Sequence, residues 1–267
     1  MTTTLIAVAG NALKTGAPDV EHLYELSKRR QWNASDLPWA SLDFSAVPLE
    51  LRRGFADLLA QTHHGELGAL TASARLVQSD ARLMDKLFGA TQVADEARHV
   101  EWFSRLLFQL DAPAPVMPAL AAFIDDVTQA GDDLHLLVGM NILIEGLAQT
   151  LMLHAGKLLG ALEVPELESF KVVGTWLTER VAADESRHLA FGIGRVRALV
   201  ETLDTTKRLQ LEERVAQWST QLMQLTREHS AGVAAFGLDG DELMARCLAD
   251  THSRLKLTGI ESGQLTS

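Results

Sequence analysis

Cysteine is nearly absent, with Cys247 the only one among 267 residues. That excludes a disulfide framework, a paired-cysteine zinc knuckle and an iron site built from four thiolates. The charge balance is acidic. With a formal net charge of −11 the chain lacks the basic footprint that nucleic-acid phosphates require. No basic residue precedes the apolar run at 5–13, so no export signal is expected. The longest apolar region, 134–159, carries His135, Asn141, Glu145, Gln149 and His154, polar groups unsuited to a bilayer span. β-branched runs are rare, and glycine and proline seldom interrupt long stretches rich in Leu, Ala, Arg and Glu. At 47% apolar and 22% charged the composition is otherwise ordinary. The expectation is an all-α, cytoplasmic protein with no membrane or nucleic-acid partner.

A first long helix is expected over 48–77, with Phe55, Leu58, Leu59, Leu70 and Val77 on one face. The break at Gln78, Ser79 and Asp80 can cap a second helix over 81–110. Segment 111–118, which holds Pro113, Pro115 and Pro118, cannot be helical and reads as a linker. A short helix over 119–130 and a third long helix over 132–162 follow, and Pro165 opens a fourth that runs to about 203. More polar helices are expected over 205–229 and 241–257. No composition shift divides the chain. The expected organisation is one domain over 1–267: a core bundle at 48–203, an N-terminal extension at 1–47 and C-terminal helices at 204–267.

One pentapeptide pattern occurs twice, as Asp95-Glu96-Ala97-Arg98-His99 and Asp184-Glu185-Ser186-Arg187-His188. On a helix, Glu and His three residues apart project side by side and can offer an oxygen and a nitrogen to one metal ion. Hard oxygen with imidazole and no thiolate suits iron or manganese. A dinuclear site needs a further carboxylate for each ion from another helix. Glu66 and Glu145 are the candidates, because each sits in an apolar face where an unpaired acid is costly.

Spacing from the turns supports them. Residues facing each other in an antiparallel helix pair are equidistant from the turn. Glu66 and Glu96 lie 30 apart, which places a turn near residue 81, beside Ser79 and Asp80. Glu145 and Glu185 lie 40 apart, which places a turn at Pro165. Each hairpin thus brings a lone Glu level with a Glu-x-x-His pair, and the proline-rich linker and short helix can cross between hairpins. The result is a four-helix bundle with a six-ligand site.

These residues resemble the ferritin-like carboxylate-bridged diiron superfamily. The closest branch is that of the ribonucleotide reductase small subunit, the related ligand-binding oxidases, the acyl-carrier-protein desaturases and the arylamine N-oxygenases. The resemblance covers about residues 30–200. It implies a ferritin-like bundle with two iron ions, or Mn/Fe or two Mn, held at a catalytic centre by Glu66, Glu96, His99, Glu145, Glu185 and His188. It further implies that Asp95 and Asp184 accept from the opposite helix's His, that Arg98 and Arg187 pair with those carboxylates, and that Trp32 joins a Trp32–Asp184–His99 path. The radical-forming Tyr of the reductase subunit falls at Phe103, and the extra His of the N-oxygenases falls at Val181. The single tyrosine, Tyr24, is distant in sequence, which argues against a tyrosyl-radical subunit.

Leu70, Phe103, Phe191 and Gly192, about a turn from the ligands, are candidate pocket residues, and His63, His64 and His154 are candidate additional ligands. The leading expectation is a diiron oxidase or oxygenase that uses O2 on a small or lipid-like molecule, by hydroxylation, desaturation or N-oxygenation. It would take electrons from a ferredoxin or flavin reductase and act as a homodimer. Manganese catalase-like peroxide disproportionation and iron storage by a ferroxidase are the alternatives.

Overall fold

The computed structural model describes residues 19–79, 81–112, 114–233 and 239–261. The apolar run at 5–13, Asp80 and Pro113 lie outside them. All regular elements among the described residues are helical. They are α1 (Val20–Arg29), α2 (Leu49–Gln78), α3 (Leu83–Leu110), α4 (Pro118–Thr128), α5 (Asp133–Gly160), α6 (168–200), α7 (Thr205–Val233) and α8 (Gly240–Thr258).

Helix α2 buries Phe55, Ala56, Leu59, Ala60, Ala69, Ala72 and Leu76 at helical spacing, and this stripe packs along α3. The chain turns between Gln78 and Leu83, where the hairpin spacing puts it. The break at Gln78, Ser79 and Asp80 was expected to cap the second helix; α3 starts from Arg82, which makes no side-chain cap. The first-turn acid Asp85 instead pairs with Arg82 and with Arg195 of α6. Pro165 opens a single 3-10 turn, Pro165–Leu167, and α6 proper begins at Glu168. Helix α1 is an additional N-terminal helix beside the bundle; Asp19 caps it by accepting from the Glu21 N–H at 3.1 Å, and it packs on α3 and α6.

Two features of the second hairpin have no trace in hydrophobic periodicity. Helix α5 contains a π-helical stretch at Val138–Ile144, directly before Glu145. Helix α6 contains another at Leu177–Val181, shortly before Asp184. At the far end, α5 and α6 meet backbone to backbone: a Cβ on Gly174 would lie 2.6 Å from Leu159 Cβ and 2.8 Å from the Gly156 carbonyl oxygen. One helix, Asp133–Gly160, is long and apolar enough to cross a membrane, yet 83% of its apolar window is buried inside the fold.

The hydrophobic core has two parts. One gathers Leu76, Phe88, Ile124, Leu143, Phe191 and Val196, with residues from α7 and α8. The other gathers Trp32, Phe55, Trp102, Leu106, Phe170 and Val181. Along α2, α3 and α6 the acid and imidazole residues fall between the stretches that feed these two parts, and on α5 Glu145 lies within the first part, between Ile144 and Leu147, with Met152 of the second beyond.

Candidate dimetal centre

All six residues converge. Glu66, Glu96, His99 and Glu185 each place a ligand atom within 4.8 Å of the others, and so do Glu96, Glu145, Glu185 and His188. Glu96 and Glu185 belong to both quartets. Every member is buried, with Glu96, His99 and His188 at 0% exposure. His99 Nδ1 lies 3.2 Å from Glu66 Oε2, 3.3 Å from Glu96 Oε2 and 3.1 Å from Glu185 Oε1. His188 Nδ1 lies 3.0 Å from Glu96 Oε1, 3.6 Å from Glu185 Oε2 and 3.9 Å from Glu145 Oε2.

The outer ring nitrogens point away from this centre, each to a carboxylate on the opposite hairpin. His99 Nε2 lies 3.3 Å from Asp184 Oδ2 and His188 Nε2 lies 3.2 Å from Asp95 Oδ2. Such contacts fix the ring and leave Nδ1 facing inward. Arg98 donates to Asp95, and to Asp184 at 3.4 Å. Arg187 donates to Asp184, and to Asp95 at 3.4 Å. Trp32 Nε1 donates to Asp184 Oδ2 at 2.8 Å, and its ring stacks on His99 at 6.0 Å and 22°.

The charges are distributed by burial and by these neighbours. Burial, with the adjacent carboxylates, pushes Glu66 and Glu145 well above the ordinary carboxylate range. Glu96 is equally buried, but the facing His188 and His99 outweigh that penalty and hold it well below. Burial alone would lower both histidines, yet Glu66 and Asp184 raise His99, and Glu96 and Asp95 raise His188. Asp184 is held low, against burial, by His99 and Arg187.

Several residues lay beyond the sequence reading. Gln92 donates to Glu145 Oε1 at 2.8 Å and Asn141 to Glu145 Oε2 at 3.1 Å. Their signal was visible: each is an amide one turn before an acid on an apolar helix. Arg254 of α8 donates to the Gly146 carbonyl at 2.7 Å and to Gln149 at 3.0 Å, closing the back of α5 beside Glu145.

A cavity of about 120 Å³ opens against Glu66, Glu145 and Glu185. Its other walls are chiefly apolar, including Leu58, Ala69, Met117, Ile144 and Leu243. None of Leu70, Phe103, Phe191 and Gly192 lines it. It lies on the α2, α4 and α5 side, roofed by α7 and α8, whereas three of the four face elsewhere. Phe103 packs on Trp102, Phe191 stacks on Phe88 at 4.4 Å, and Gly192 abuts Asn141. Leu70 is partly buried on α2 outside the cavity wall. His63 contacts Ser104 Oγ at 2.9 Å, and His63, His64 and His154 belong to neither quartet.

The helical bundle with its buried acids and histidines is the ferritin-like fold of the R2-like ligand-binding oxidases. One such oxidase, solved with an aerobically reconstituted metal cofactor after photoconversion, superimposes with a TM-score of 0.65 at 20% identity, covering 91% of this chain and 94% of that chain. A variant with an aerobically reconstituted Mn/Fe cofactor gives a TM-score of 0.61 at 22% identity over the same shares. No protein-family model and no curated protein sequence matches the chain.

Proposed function

We propose that this protein is an O2-dependent dimetal oxidase or oxygenase acting on an apolar, lipid-like molecule. The observation that carries the reading is a set of buried ligand atoms without hydrogen-bond partners: Glu66 Oε1, Glu96 Oε2, both Glu185 oxygens and His188 Nδ1. Orphaned polar atoms are costly in a sealed interior. Here they converge from three of the long helices, α2, α3 and α6, as the ligands of a cation do. Oxygen and imidazole donors without thiolate fit iron and manganese, so an Fe/Fe, Mn/Fe or Mn/Mn pair is proposed.

Glu66, Glu96, His99 and Glu185 would hold one ion, and Glu96, Glu145, Glu185 and His188 the other, with Glu96 and Glu185 placed to serve both. When bound, the pair supplies the redox equivalents for O2 activation. The chain's own residues do the rest. Asp95 and Asp184 orient the two imidazoles, and Arg98 and Arg187 neutralise those carboxylates. The two apolar core regions exclude water from the centre. The cavity walls orient an apolar substrate beside Glu66, Glu145 and Glu185. Peroxide disproportionation and iron storage have no use for such a chamber.

The reading extends to a ferredoxin or flavin reductase as electron donor, with Trp32, Asp184 and His99 as the route inward. It also takes the chain as a single domain acting as a cytoplasmic homodimer. The test is O2 consumption by protein loaded anaerobically with Fe(II) or Mn(II)/Fe(II), with and without a long-chain fatty acid. Stimulated O2 uptake with modified lipid supports the reading. O2 release from added peroxide, with no uptake, contradicts it.

A further inference from the structure

The doubled motif makes Glu66 and Glu145 counterparts, yet their carboxylates are held differently. Glu145 accepts from two neutral amides, Gln92 on Oε1 at 2.8 Å and Asn141 on Oε2 at 3.1 Å. Glu66 meets His99 through Oε2, and its Oε1 has no partner.

Neither amide is incidental. Gln92 is 0% exposed and Asn141 1%. Gln92 sits one turn before Glu96 on α3. Asn141 sits within the π-helical stretch of α5, and Gly192 of α6 leaves it room: a Cβ there would lie 2.5 Å from Asn141 Cβ. The amides also approach each other, with Asn141 Nδ2 3.5 Å from Gln92 Oε1. Gln92 also reaches Glu96 Oε1 at 3.4 Å, but Glu145 is the one carboxylate of the four clamped by amides on both oxygens.

The clamp makes the two metal positions unequal. The open oxygens of Glu96 and Glu185 serve both quartets, but Glu66 keeps one of its own, Oε1, and His99 Nδ1 lies 3.1 to 3.3 Å from three carboxylates. In the other quartet Glu145 already has both oxygens engaged, and His188 Nδ1 stands 3.9 Å from it. At either position an ion displaces the imidazole's inward contacts, His99 Nδ1 to Glu66 Oε2 at 3.2 Å among them; only at the second must two amide hydrogen bonds on the carboxylate also be given up or rearranged. We infer that Gln92 and Asn141 are positioning residues that withhold Glu145, so that the two ions load in order, the Glu66 quartet first. The inference rests on the dimetal reading and deepens it.

The test is titration of the metal-free full-length protein with Mn(II) alone, by competition with a chelator and by electron paramagnetic resonance. Wild type should show two steps, with the mononuclear Mn(II) signal greatest near one equivalent before a spin-coupled pair appears. In Gln92→Leu and Asn141→Leu the first dissociation constant should stay near wild type. Removing a group that orients a ligand weakens metal binding by about 10- to 100-fold; removing one that withholds a ligand acts in the opposite direction, so the second constant should tighten, by about 10-fold. Where one variant fails to fold, the other and the wild-type loading order carry the test. Pairwise loading in wild type, or a folded variant whose second step is unchanged or weaker, overturns the inference and leaves the dimetal reading standing. A chain that binds neither Mn(II) nor, in a parallel anaerobic titration, Fe(II) overturns both.

Discussion

Replacing Trp32 by Phe probes how the centre is joined to the outer shell of the bundle. The indole is 5% exposed and donates to Asp184 at 2.8 Å while stacking on His99. A phenyl ring keeps most of the stack and removes the donor. A hydrogen bond to a charged group contributes about 1.5–3 kcal/mol. Asp184 retains Arg187, Arg98 and His99 in the variant, so the loss belongs at the lower end of that range. The smaller ring adds roughly 1 kcal/mol of lost packing. The total of about 2–3 kcal/mol corresponds to a melting temperature lower by roughly 4–10 °C in a chain of this size. The assay is denaturant unfolding of the metal-free protein in a double-mutant cycle with Asp184→Asn, beside stopped-flow reduction of the oxidised metal centre. The cycle should show coupling of about 1 kcal/mol or more, and reduction should slow while metal content stays at two per chain. Additive mutations and an unchanged reduction rate would refute the path and leave Trp32 as packing alone.

Burial pushes the Cys247 thiol up to about 12, so iodoacetamide at mildly alkaline pH should label it only after unfolding; rapid labelling of the folded chain would contradict its placement. His99 and His188 are raised, and Glu66 and Glu145 hold protons above the carboxylate range, so ions must displace protons to bind. Proton release on loading, and affinity that strengthens between roughly pH 6 and 8, should therefore be seen with a pH indicator and a chelator; affinity independent of pH would contradict this charge distribution. Gly174→Ala forces apart the α5 and α6 backbones and should cost about 1–3 kcal/mol or more, read as a lower melting temperature; an unchanged melting temperature would contradict the close approach.

The hairpin geometry was legible because it depends only on counting. Glu66 and Glu96, and Glu145 and Glu185, lie at equal distances from breaks that proline and a run of polar residues mark. The outer carboxylates Asp95 and Asp184 came from the family resemblance, each four residues before its own helix's His. The π-helical stretches were not legible, since 138–144 is uniformly buried and carries no periodicity to shift. Helix α1 is short and largely polar, and its place depends on contacts such as Ser27 with Arg187 at 3.2 Å, distant in sequence. The cavity was misplaced for a related reason. Which side of a ligand turn stays open is decided by α4, α7 and α8, and spacing within the four long helices says nothing about where those pack.

Metal content is the most direct test of the central claim. Glu96 and Glu185 belong to both quartets, so they are the acids whose loss should matter most. Anaerobic loading with Fe(II) or Mn(II), followed by desalting and elemental analysis, should give two ions per wild-type chain. Glu96→Ala and Glu185→Ala, each still folded by circular dichroism, should hold fewer than two and consume no O2. Two ions per chain retained in the double variant would contradict the account.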